Sequence, residues 1–414
     1  KEDYCLRHEI PFPHFNRLAG RPIKPSPLYD TLKAKGAVFE EVYGFERPRW
    51  FAKGGVAQED HYSFRRTPVD DMVGAEVKAV RESVGIMDVT AFTKVLVEGP
   101  DAYALLDRLT ANRMPQKVGS ITLTHMLNHR GRIELETTIV RMAEDKFYLV
   151  CAAFFEQRLL DHLAAQRADE NMTVTALSST WGALSLNGPK SRHVLAACTD
   201  ARLDNAAFRW LSAQQITVAG HSIWAFRMSY AGELGWELHL PFDAMADVYQ
   251  ALWQAGEAHC IADYGSFAMN VMRMEKGFKG AGELTNEVTL AEADVLRFAR
   301  TDKDYLGKDK TLNANLPWVC AYLEIEPDGQ IDGHGGEAVL LDGAVVGSTA
   351  SVVYGHTVGK ILAFAYIKPH AAAPGTALEV LIHGAPRAAR VLGEPAYDPQ
   401  SVAPRADAIQ EPAE

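Results

Sequence analysis

The sequence predicts an α+β protein in which two related subdomains precede a β-rich C-terminal domain. The first observation is an internal resemblance: an alternating strand, a Gly-Pro turn and a helix begin at Val95, and the same pattern begins at Leu184, 89 residues later. Chance recurrence of a strand–turn–helix unit is the alternative interpretation. The second observation begins at Trp318, where short β-rich runs start to alternate with turns. Strands at this spacing are typical of a small barrel or a sandwich.

Hydrophobic periodicity locates the individual elements. Ile133–Met142 alternates, with Glu134 and Glu136 on the face opposite to Leu135, and this pattern predicts a strand. Ala244–Ala258 carries apolar residues at helical spacing and is predicted to be an amphipathic helix. The predicted strands of the C-terminal domain are Val319–Ile325, Ala344–Val353, Ile361–Ile367 and Ala377–Ile382.

These elements divide the chain into three predicted domains. Residues 1–57 are rich in proline, arginine and aromatic residues, which indicates an extended N-terminal arm or linker packed over another surface. Residues 58–312 contain the two related subdomains, and residues 313–414 form the β-rich domain.

Composition argues against several classes of protein. The 414 residues include 42 basic and 53 acidic side chains, for a formal net charge of −11, whereas a protein that coats nucleic acid needs clustered Lys and Arg. The longest apolar run, Phe147–Phe155, is far shorter than the ~20 residues that span a bilayer, and the polar start shows no signal-peptide pattern. Five scattered cysteines without a CxxC pair indicate reduced thiols and no structural zinc. We therefore expect a cytoplasmic protein, or one of the mitochondrial matrix if the source is eukaryotic.

Familiar cofactor motifs are missing from the sequence. It contains no GxGxxG fingerprint after a strand, no GxxxxGK[ST] loop, no GxSxG elbow and no HExxH pair. The expectation of NAD, FAD, ATP or zinc chemistry within these residues is correspondingly low, and we predict no metal site.

The segment Ser229–His239 contains a candidate binding carboxylate. A turn at Gly232 separates Tyr230 from the apolar residues that follow and leaves Glu233 at the apex. A carboxylate fixed on a tight turn can accept two parallel hydrogen bonds from an amidine-like edge, which pterins and purines carry. The alternative is a hairpin tip whose glutamate is only solvated.

A second charged segment ends a predicted helix. In Arg273–Gly280 the charged residues precede a glycine that suits the helix C-terminus. Charges in the last turn can simply complement the helix dipole, so the local pattern alone leaves that interpretation open.

Taken together, these motifs resemble the aminomethyltransferase family, which includes the T-protein of glycine cleavage and its folate-dependent relatives. The resemblance covers nearly the whole chain, and its ordered set of motifs is specific although each one is modest. The segments that carry it are Val84–Thr90, Met126–Asn128, Gly131–Ile133, Tyr230–Gly235, Arg273–Gly277 and Asp304–Lys308.

Within that family the chain is most similar to the C-terminal, folate-binding half of the dimethylglycine and sarcosine dehydrogenases. Ser26–Asp30 and Tyr43–Phe51 resemble the stretch that joins this half to the flavin half. The resemblance implies that FAD belongs only to a separate or missing upstream module. It also implies a cloverleaf of three lobes around a central tetrahydrofolate cleft.

The resemblance also implies roles for individual residues. Glu233 falls where the family has the carboxylate that holds the pterin edge, and Tyr230 lies beside it. Asn128 and Arg273 are further candidates for cofactor binding. The essential acid of the family is usually Asp, and Glu136 stands at that position here. The longer side chain is a departure, because misplacement by an ångström can cost roughly 100-fold in rate.

The function that follows is capture of a one-carbon unit by tetrahydrofolate. Oxidation of an N-methyl compound of the dimethylglycine or sarcosine type would supply formaldehyde or an iminium, and the product would be 5,10-methylenetetrahydrofolate. The expected partners are a small methylated amine and a flavoprotein domain or subunit, with no nucleic acid and no membrane. One alternative is a free-standing demethylase that uses a sulfonium, a quaternary amine or a methyl ether. Another is a folate-binding accessory protein without turnover.

Overall fold

The computed structural model describes residues 2–407 of the chain. Its α-helices are α1 (Glu2–Cys5), α2 (Tyr29–Ala34), α3 (Pro68–Glu82), α4 (Ala102–Leu109), α5 (Glu156–Gln166), α6 (Ser191–Ala196), α7 (Met245–Gly256), α8 (Ser266–Glu275) and α9 (Lys308–Leu312). Its β-strands are β1 (Ala37–Val42), β2 (Phe45–Phe51), β3 (Gly85–Asp88), β4 (Thr93–Glu98), β5 (Ile121–Leu127), β6 (Ile133–Ala143), β7 (Lys146–Cys151), β8 (Thr173–Ala176), β9 (Trp181–Asn187), β10 (Ala213–Val218), β11 (His221–Phe226), β12 (Gly235–Pro241), β13 (Ala262–Asp263), β14 (Val319–Ile325), β15 (Ala338–Leu341), β16 (Ala344–Gly355), β17 (Lys360–Ile367), β18 (Ala377–Ile382) and β19 (Ala385–Leu392). Single turns of 3-10 helix occupy Ala153–Phe155, Phe242–Ala244, Glu257–His259, Leu296–Phe298, Pro369–Ala371 and Ala403–Arg405.

The first lobe is built on a five-stranded sheet with the order β5-β6-β7-β4-β8. Strand β6 alternates as the sequence predicts: Leu135 and Ile139 pack into the core of this lobe, while Val140 packs on the other face. Leu105 of α4 and Leu159 of α5 are fully buried in the same core. The period-2 pattern of β6 therefore fixes which side chains reach the core and which reach the opposite face.

The second lobe is built on a six-stranded sheet with the order β10-β11-β12-β9-β3-β13. Strands β4–β7 of the first lobe and β9–β12 of the second lobe have the same spatial order. In each set the second, third and fourth strands lie side by side in chain order, and the first strand lies next to the fourth. Each set begins with a strand that leads through a Gly-Pro turn into a helix, and the turn glycines Gly99 and Gly188 have φ angles of +139° and +124°. The predicted relationship between the two subdomains is thus confirmed in both topology and turn geometry.

The two sheets face each other across a small apolar contact. Val140 and Tyr148 of the first lobe pack with Ala213 and Phe226 of the second, and all four are almost completely buried. The outer helix of the second lobe, predicted over Ala244–Ala258, is observed as α7 between two turns of 3-10 helix.

The C-terminal strands close a six-stranded barrel with the order β14-β17-β16-β15-β18-β19. All four predicted strands are present, and β14 and β18 have the predicted bounds. The closed ladder decides between the barrel and the sandwich, because β14 pairs with both β17 and β19 and leaves no free edge. The predicted α+β fold with a small C-terminal barrel is confirmed.

The N-terminal region is more integrated than its composition indicates. Strands β1 and β2 form a hairpin, in which Phe39 and Phe51 join the core of the second lobe while Trp50 packs against α3 and α8. Glu76 of α3 anchors this hairpin, because its carboxyl group accepts hydrogen bonds from the backbone N–H of Phe51 (2.7 Å) and of Gly265 (2.8 Å). The boundary near residue 57 stays a prediction.

Helix α8 lies at the centre of the molecule. It packs against α3 and β2 on one side and against β16 of the barrel on another. Among residues 2–407 no helix has the length and apolar character needed to cross a bilayer.

Candidate functional site

A cavity of about 560 Å³ lies where the N-terminal hairpin, α3, α8, the second lobe and the barrel meet. Its volume falls within the roughly 300–1,000 Å³ that is typical of small-molecule sites. Residues from each of these elements line it: Arg49, Val73, Glu237, Asn270, Arg273 and Tyr354. No single lobe could form this cavity alone.

Glu237 brings a carboxylate to the cavity from strand β12. Trp236 and Leu238 point into the core of the second lobe, so the alternation of the strand turns Glu237 to the opposite face. Its side chain is 15% exposed, and Oε2 lies 3.5 Å from Nε2 of His239. Ser185, the cross-strand neighbour of Glu237, also lines the cavity. A nearly buried carboxylate that faces a cavity needs hydrogen-bond donors, which a ligand can provide.

Tyr230 lines the same cavity through the loop that precedes β12. Its hydroxyl donates to the carbonyl of Lys279 (3.1 Å), and its ring stacks on Phe278 with centroids 6.0 Å apart. Burial raises the pKa of the Tyr230 phenol. The positive charge of Arg273 opposes this rise, and the negative charge of Glu136 adds to it. A Cβ at Gly280 would lie 3.0 Å from this hydroxyl, so a larger residue there would make Tyr230 shift slightly.

Glu136 lies beside this group but outside the lining of the cavity. It is on β6 opposite His125, with Oε1 3.3 Å from Nε2 of that fully buried histidine. Neither ring nitrogen of His125 has a hydrogen-bond partner among the described residues. Glu136 keeps 28% of its side chain exposed, and its charge acts on Tyr230. Glu136 and Tyr230 belong to different lobes, and the charge of Glu136 adds to the rise in the pKa of Tyr230 that burial causes.

Arg273 reaches the cavity with its guanidinium already engaged. Nη1 donates to the carbonyl of Phe278 (2.9 Å) and to Oε2 of Glu283 (3.0 Å), and Nε donates to Asn270 (2.9 Å). Oε1 of Glu283 is buried without a hydrogen-bond partner in the part of the chain that the structure describes. The arginine is thus held rigidly at the wall of the cavity.

Asn128 serves the turn between β5 and β6. Its Oδ1 accepts from the backbone N–H of Arg130 (3.0 Å) and Arg132 (3.2 Å), and it does not line the cavity. Glu134, on the same strand face as Glu136, lies 3.5 Å from Nε of Arg158. Both side chains are thus engaged by local partners, and neither lines the cavity.

Glu233, the candidate carboxylate of the sequence motif, does not line this cavity. Its side chain is 4% exposed, and Oε1 lies 2.8 Å from Nη1 of Arg81 and accepts from the hydroxyl of Tyr397 (2.7 Å). Gly232 has φ +78°, so the predicted turn exists, but the turn is packed inside the protein. Burial raises the pKa of Glu233, although Arg81 opposes the shift.

The sequence motif did not single out Glu237, the glutamate of that motif that lines the cavity. The signal was available, because Gly235–Pro241 alternates and puts Glu237 opposite to Trp236. The alternation alone does not show which face of the strand lines a cavity. Among residues 2–407, no three His, Cys, Asp or Glu side chains are arranged to hold a metal ion.

The lobes, the barrel and the shared cavity define a class of protein. Residues 28–303 match the GCVT N-terminal domain, and residues 319–398 match the glycine cleavage T-protein C-terminal barrel domain. The chain therefore belongs to the glycine cleavage T-protein family.

Curated relatives narrow the position of the chain within this family. It is 34% identical over 406 residues to mitochondrial dimethylglycine dehydrogenase of Mus musculus, a match that covers 95% of this chain and 46% of that protein. It is 32% identical to 4-methylaminobutanoate oxidase (formaldehyde-forming) of Paenarthrobacter nicotinovorans, with coverage of 97% and 49%. The chain thus spans about half the length of the curated relatives that it matches.

A solved structure supports the same fold. Glycine cleavage system aminomethyltransferase T from Bartonella henselae superposes with a TM-score of 0.78 at 21% identity, and the match covers 91% of this chain and 99% of that one. At this identity the likeness shows the fold.

Proposed function

We propose that this chain transfers a one-carbon unit to tetrahydrofolate and that Glu237 is the carboxylate that holds the pterin edge. The observation that carries the proposal is the position of Glu237, almost buried and turned toward a cavity that Tyr230 and Arg273 also line. The residues fit such a ligand, because a carboxylate can accept two parallel hydrogen bonds from an amidine-like edge.

The proposal gives the remaining site residues distinct roles. Tyr230 contributes a flat wall beside the pterin, and Arg273, held by its contact with Glu283, adds a rigid part of the lining near Tyr230. Glu136, near Tyr230, places a negative charge where a cationic nitrogen develops during carbon transfer. Asn128 keeps only an indirect role, since it shapes the turn that leads into β6.

Tetrahydrofolate, when bound, supplies the two nitrogens that become bonded to the carbon of formaldehyde, with release of one water. The chain positions the reactants, since residues of the N-terminal hairpin, two helices, the second lobe and the barrel converge on the cavity. The proposed product is 5,10-methylenetetrahydrofolate.

The proposed source of the carbon is an oxidised N-methyl amine of the dimethylglycine or sarcosine type. Two facts support this source: the relatives are dehydrogenases and a formaldehyde-forming oxidase, and each is about twice the length that the chain covers. The proposed partner is therefore a flavin-bearing domain or subunit that carries out the oxidation.

The test compares Glu237→Gln with Glu379→Gln, a matched change at an exposed position of β18. Titration calorimetry with tetrahydrofolate should show roughly 10-fold or greater weakening for Glu237→Gln, because hydrogen bonds to a charged group contribute about 1.5–3 kcal/mol. The control should bind as the wild type does. Unchanged affinity of Glu237→Gln would contradict the assignment.

A product assay separates the proposed activity from the alternatives. The wild-type chain is incubated with tetrahydrofolate and either formaldehyde or a methyl sulfonium donor, and the folate products are separated by mass. We expect the protein to accelerate the formation of methylene product from formaldehyde over the protein-free reaction and to give no methyl product from the sulfonium. Methyl product from the sulfonium indicates a demethylase, and binding without any acceleration indicates a folate-binding accessory protein.

A further inference from the structure

His239 lies directly behind Glu237 on the same face of β12. The histidine is 1% exposed, and its Nε2 lies 3.5 Å from Oε2 of Glu237. Nε2 has no hydrogen-bond partner among the residues that the structure describes. A buried ring nitrogen without a partner is costly, and the nearest group that can relieve this cost is the Glu237 carboxylate.

The other ring nitrogen of His239 contacts the first lobe. Nδ1 lies 3.2 Å from the hydroxyl of Tyr148, a fully buried residue of β7. Phe226 stacks on the imidazole with ring centroids 4.3 Å apart and holds the plane of the ring. The imidazole is therefore fixed between a phenol of one lobe and a carboxylate of the other.

The groups around His239 determine which nitrogen carries its proton. Burial lowers the pKa of His239, Glu237 opposes the shift and the Lys94 ammonium group reinforces it, so the imidazole is neutral near pH 7. Burial also raises the pKa of the Tyr148 phenol, which keeps its proton to donate. A neutral imidazole has one donor and one acceptor, so a phenol that donates to Nδ1 leaves the proton on Nε2.

We propose that His239 is a positioning residue whose Nε2–H orients the Glu237 carboxylate toward the cavity, with Tyr148 selecting the required tautomer across the lobe boundary. The consequence for ligand recognition rests on the proposed function of Glu237. The orientation of the carboxylate then depends on how the first and second lobes are packed, since Tyr148 and Glu237 belong to different sheets.

The first measurement is independent of any ligand. Histidine-¹⁵N-labelled full-length protein is examined by long-range ¹H–¹⁵N correlation NMR, and the His239 signals are assigned by their loss in His239→Gln. We expect the Nε2–H tautomer in the wild type and a shift toward Nδ1–H in Tyr148→Phe, which removes the donor to Nδ1. A wild-type Nδ1–H tautomer, or a tautomer that Tyr148→Phe leaves unchanged, overturns the proposal.

The second measurement connects the tautomer to ligand binding. His239→Leu, which removes the Nε2–H donor, and Tyr148→Phe should each weaken tetrahydrofolate binding by roughly 3- to 10-fold, as expected for the loss of one hydrogen bond. Neither change should weaken binding further in a Glu237→Gln background, because both act through that carboxylate. Equal losses in the two backgrounds would overturn the positioning role.

His221→Leu is the matched control. His221 lies on the neighbouring strand β11 and also contacts a carboxylate, with Nε2 2.9 Å from Oδ2 of Asp247, but it does not line the cavity. This variant should keep wild-type affinity and the wild-type His239 signals. If Glu237→Gln itself binds normally, the proposed function fails, whereas the tautomer measurement still decides the role of His239. If the His239 variants do not fold, the binding of tetrahydrofolate to Tyr148→Phe, measured in the wild-type and Glu237→Gln backgrounds, decides alone.

Discussion

Nη1 of Arg81 lies 2.8 Å from Oε1 of Glu233, in an ion pair that ties helix α3 to the loop before β12. Nη2 of the same arginine lies 2.8 Å from Oε2 of Glu275 at the end of α8. The barrel joins this cluster, because Thr357 donates to Glu275 and Tyr397 donates to Glu233. A carboxylate that the sequence pattern associates with a ligand thus holds the second lobe, α8 and the barrel together.

Glu233→Gln should therefore reduce stability rather than ligand affinity. Removing one partner of a buried ion pair leaves an uncompensated charge, and we expect a loss of about 3 kcal/mol, the lower end of the usual range because Arg81 keeps Glu275. Urea unfolding measures the loss, and calorimetry at a temperature where the variant is folded measures tetrahydrofolate binding. Weakened binding at unchanged stability would restore Glu233 as the ligand-binding carboxylate.

Glu136→Gln should leave tetrahydrofolate binding nearly intact and slow carbon transfer from formaldehyde by on the order of 100-fold or more. The reason is that the variant loses a preorganised charge near the reacting nitrogen but keeps its shape. Stopped-flow measurement of methylene product formation checks the rate. Full transfer rates in Glu136→Gln would mean that this residue has no catalytic role.

Glu134→Gln is the control for that experiment, since Glu134 is on the same strand face but lies toward Arg158. It should change the rate far less. Glu136→Asp tests the longer side chain directly: loss of turnover indicates a site shaped around glutamate, and improved turnover indicates that the shorter family residue still suits the site.

Glu76 should make stability fall as the pH rises from about 5 to 8. Burial raises its pKa from 4.5 to about 8, so over this range the folded protein keeps a proton that the unfolded chain has released. Stability contributed by the protonated group is present below pH 4.5 and is lost as the pH approaches the folded pKa, at no more than about 1.4 kcal/mol per pH unit. Glu76→Gln removes this titration. As the pH rises, the unfolding free energy of the variant should therefore increase relative to that of the wild type. Parallel urea-unfolding profiles at pH 5, 6, 7 and 8 would contradict this pKa.

Gly99→Ala and Gly188→Ala should each destabilise the protein by about 2 kcal/mol or more. Both positions have strongly positive φ angles, and an added Cβ would lie 2.5 Å from the carbonyl oxygen of Asn171 and 2.4 Å from that of Ser83, respectively. Gly220→Ala is the control, because Gly220 also has a positive φ but a Cβ there meets nothing within 4 Å. Thermal unfolding of the three variants separates the cost of the Cβ clash from the cost of a positive φ angle in a non-glycine residue. Equal losses of stability in all three variants would show that the clash makes no contribution.

Local patterns were enough to predict most of the architecture. The alternation in β6, the helical spacing in α7 and the turn-punctuated strands after Trp318 all report on short stretches whose burial follows from hydrophobic periodicity. The repeated Gly-Pro turn revealed the related lobes, because a left-handed backbone position next to a crowded carbonyl tolerates only glycine.

The choice between Glu233 and Glu237 lay beyond the sequence. Both carboxylates belong to one motif four residues apart, and each is nearly buried. Arg81, 152 residues away in the chain, neutralises one of them, while the junction with α8 and the barrel opens a cavity beside the other. Long-range partners of this kind leave no trace in the local spacing of a motif.

The sequence by itself determined the family, the α+β class, the two related lobes and the type of residue that the site needs, because periodicity, turn glycines and ordered motifs are properties of neighbouring residues. The tertiary structure alone decided which carboxylate faces the cavity, that the charge of Glu136 acts on Tyr230 of a different lobe, and that Tyr148 contacts His239 across the lobe boundary. These relationships depend on how separate elements pack, and burial and charge compensation assign a role to each carboxylate only after that packing is complete.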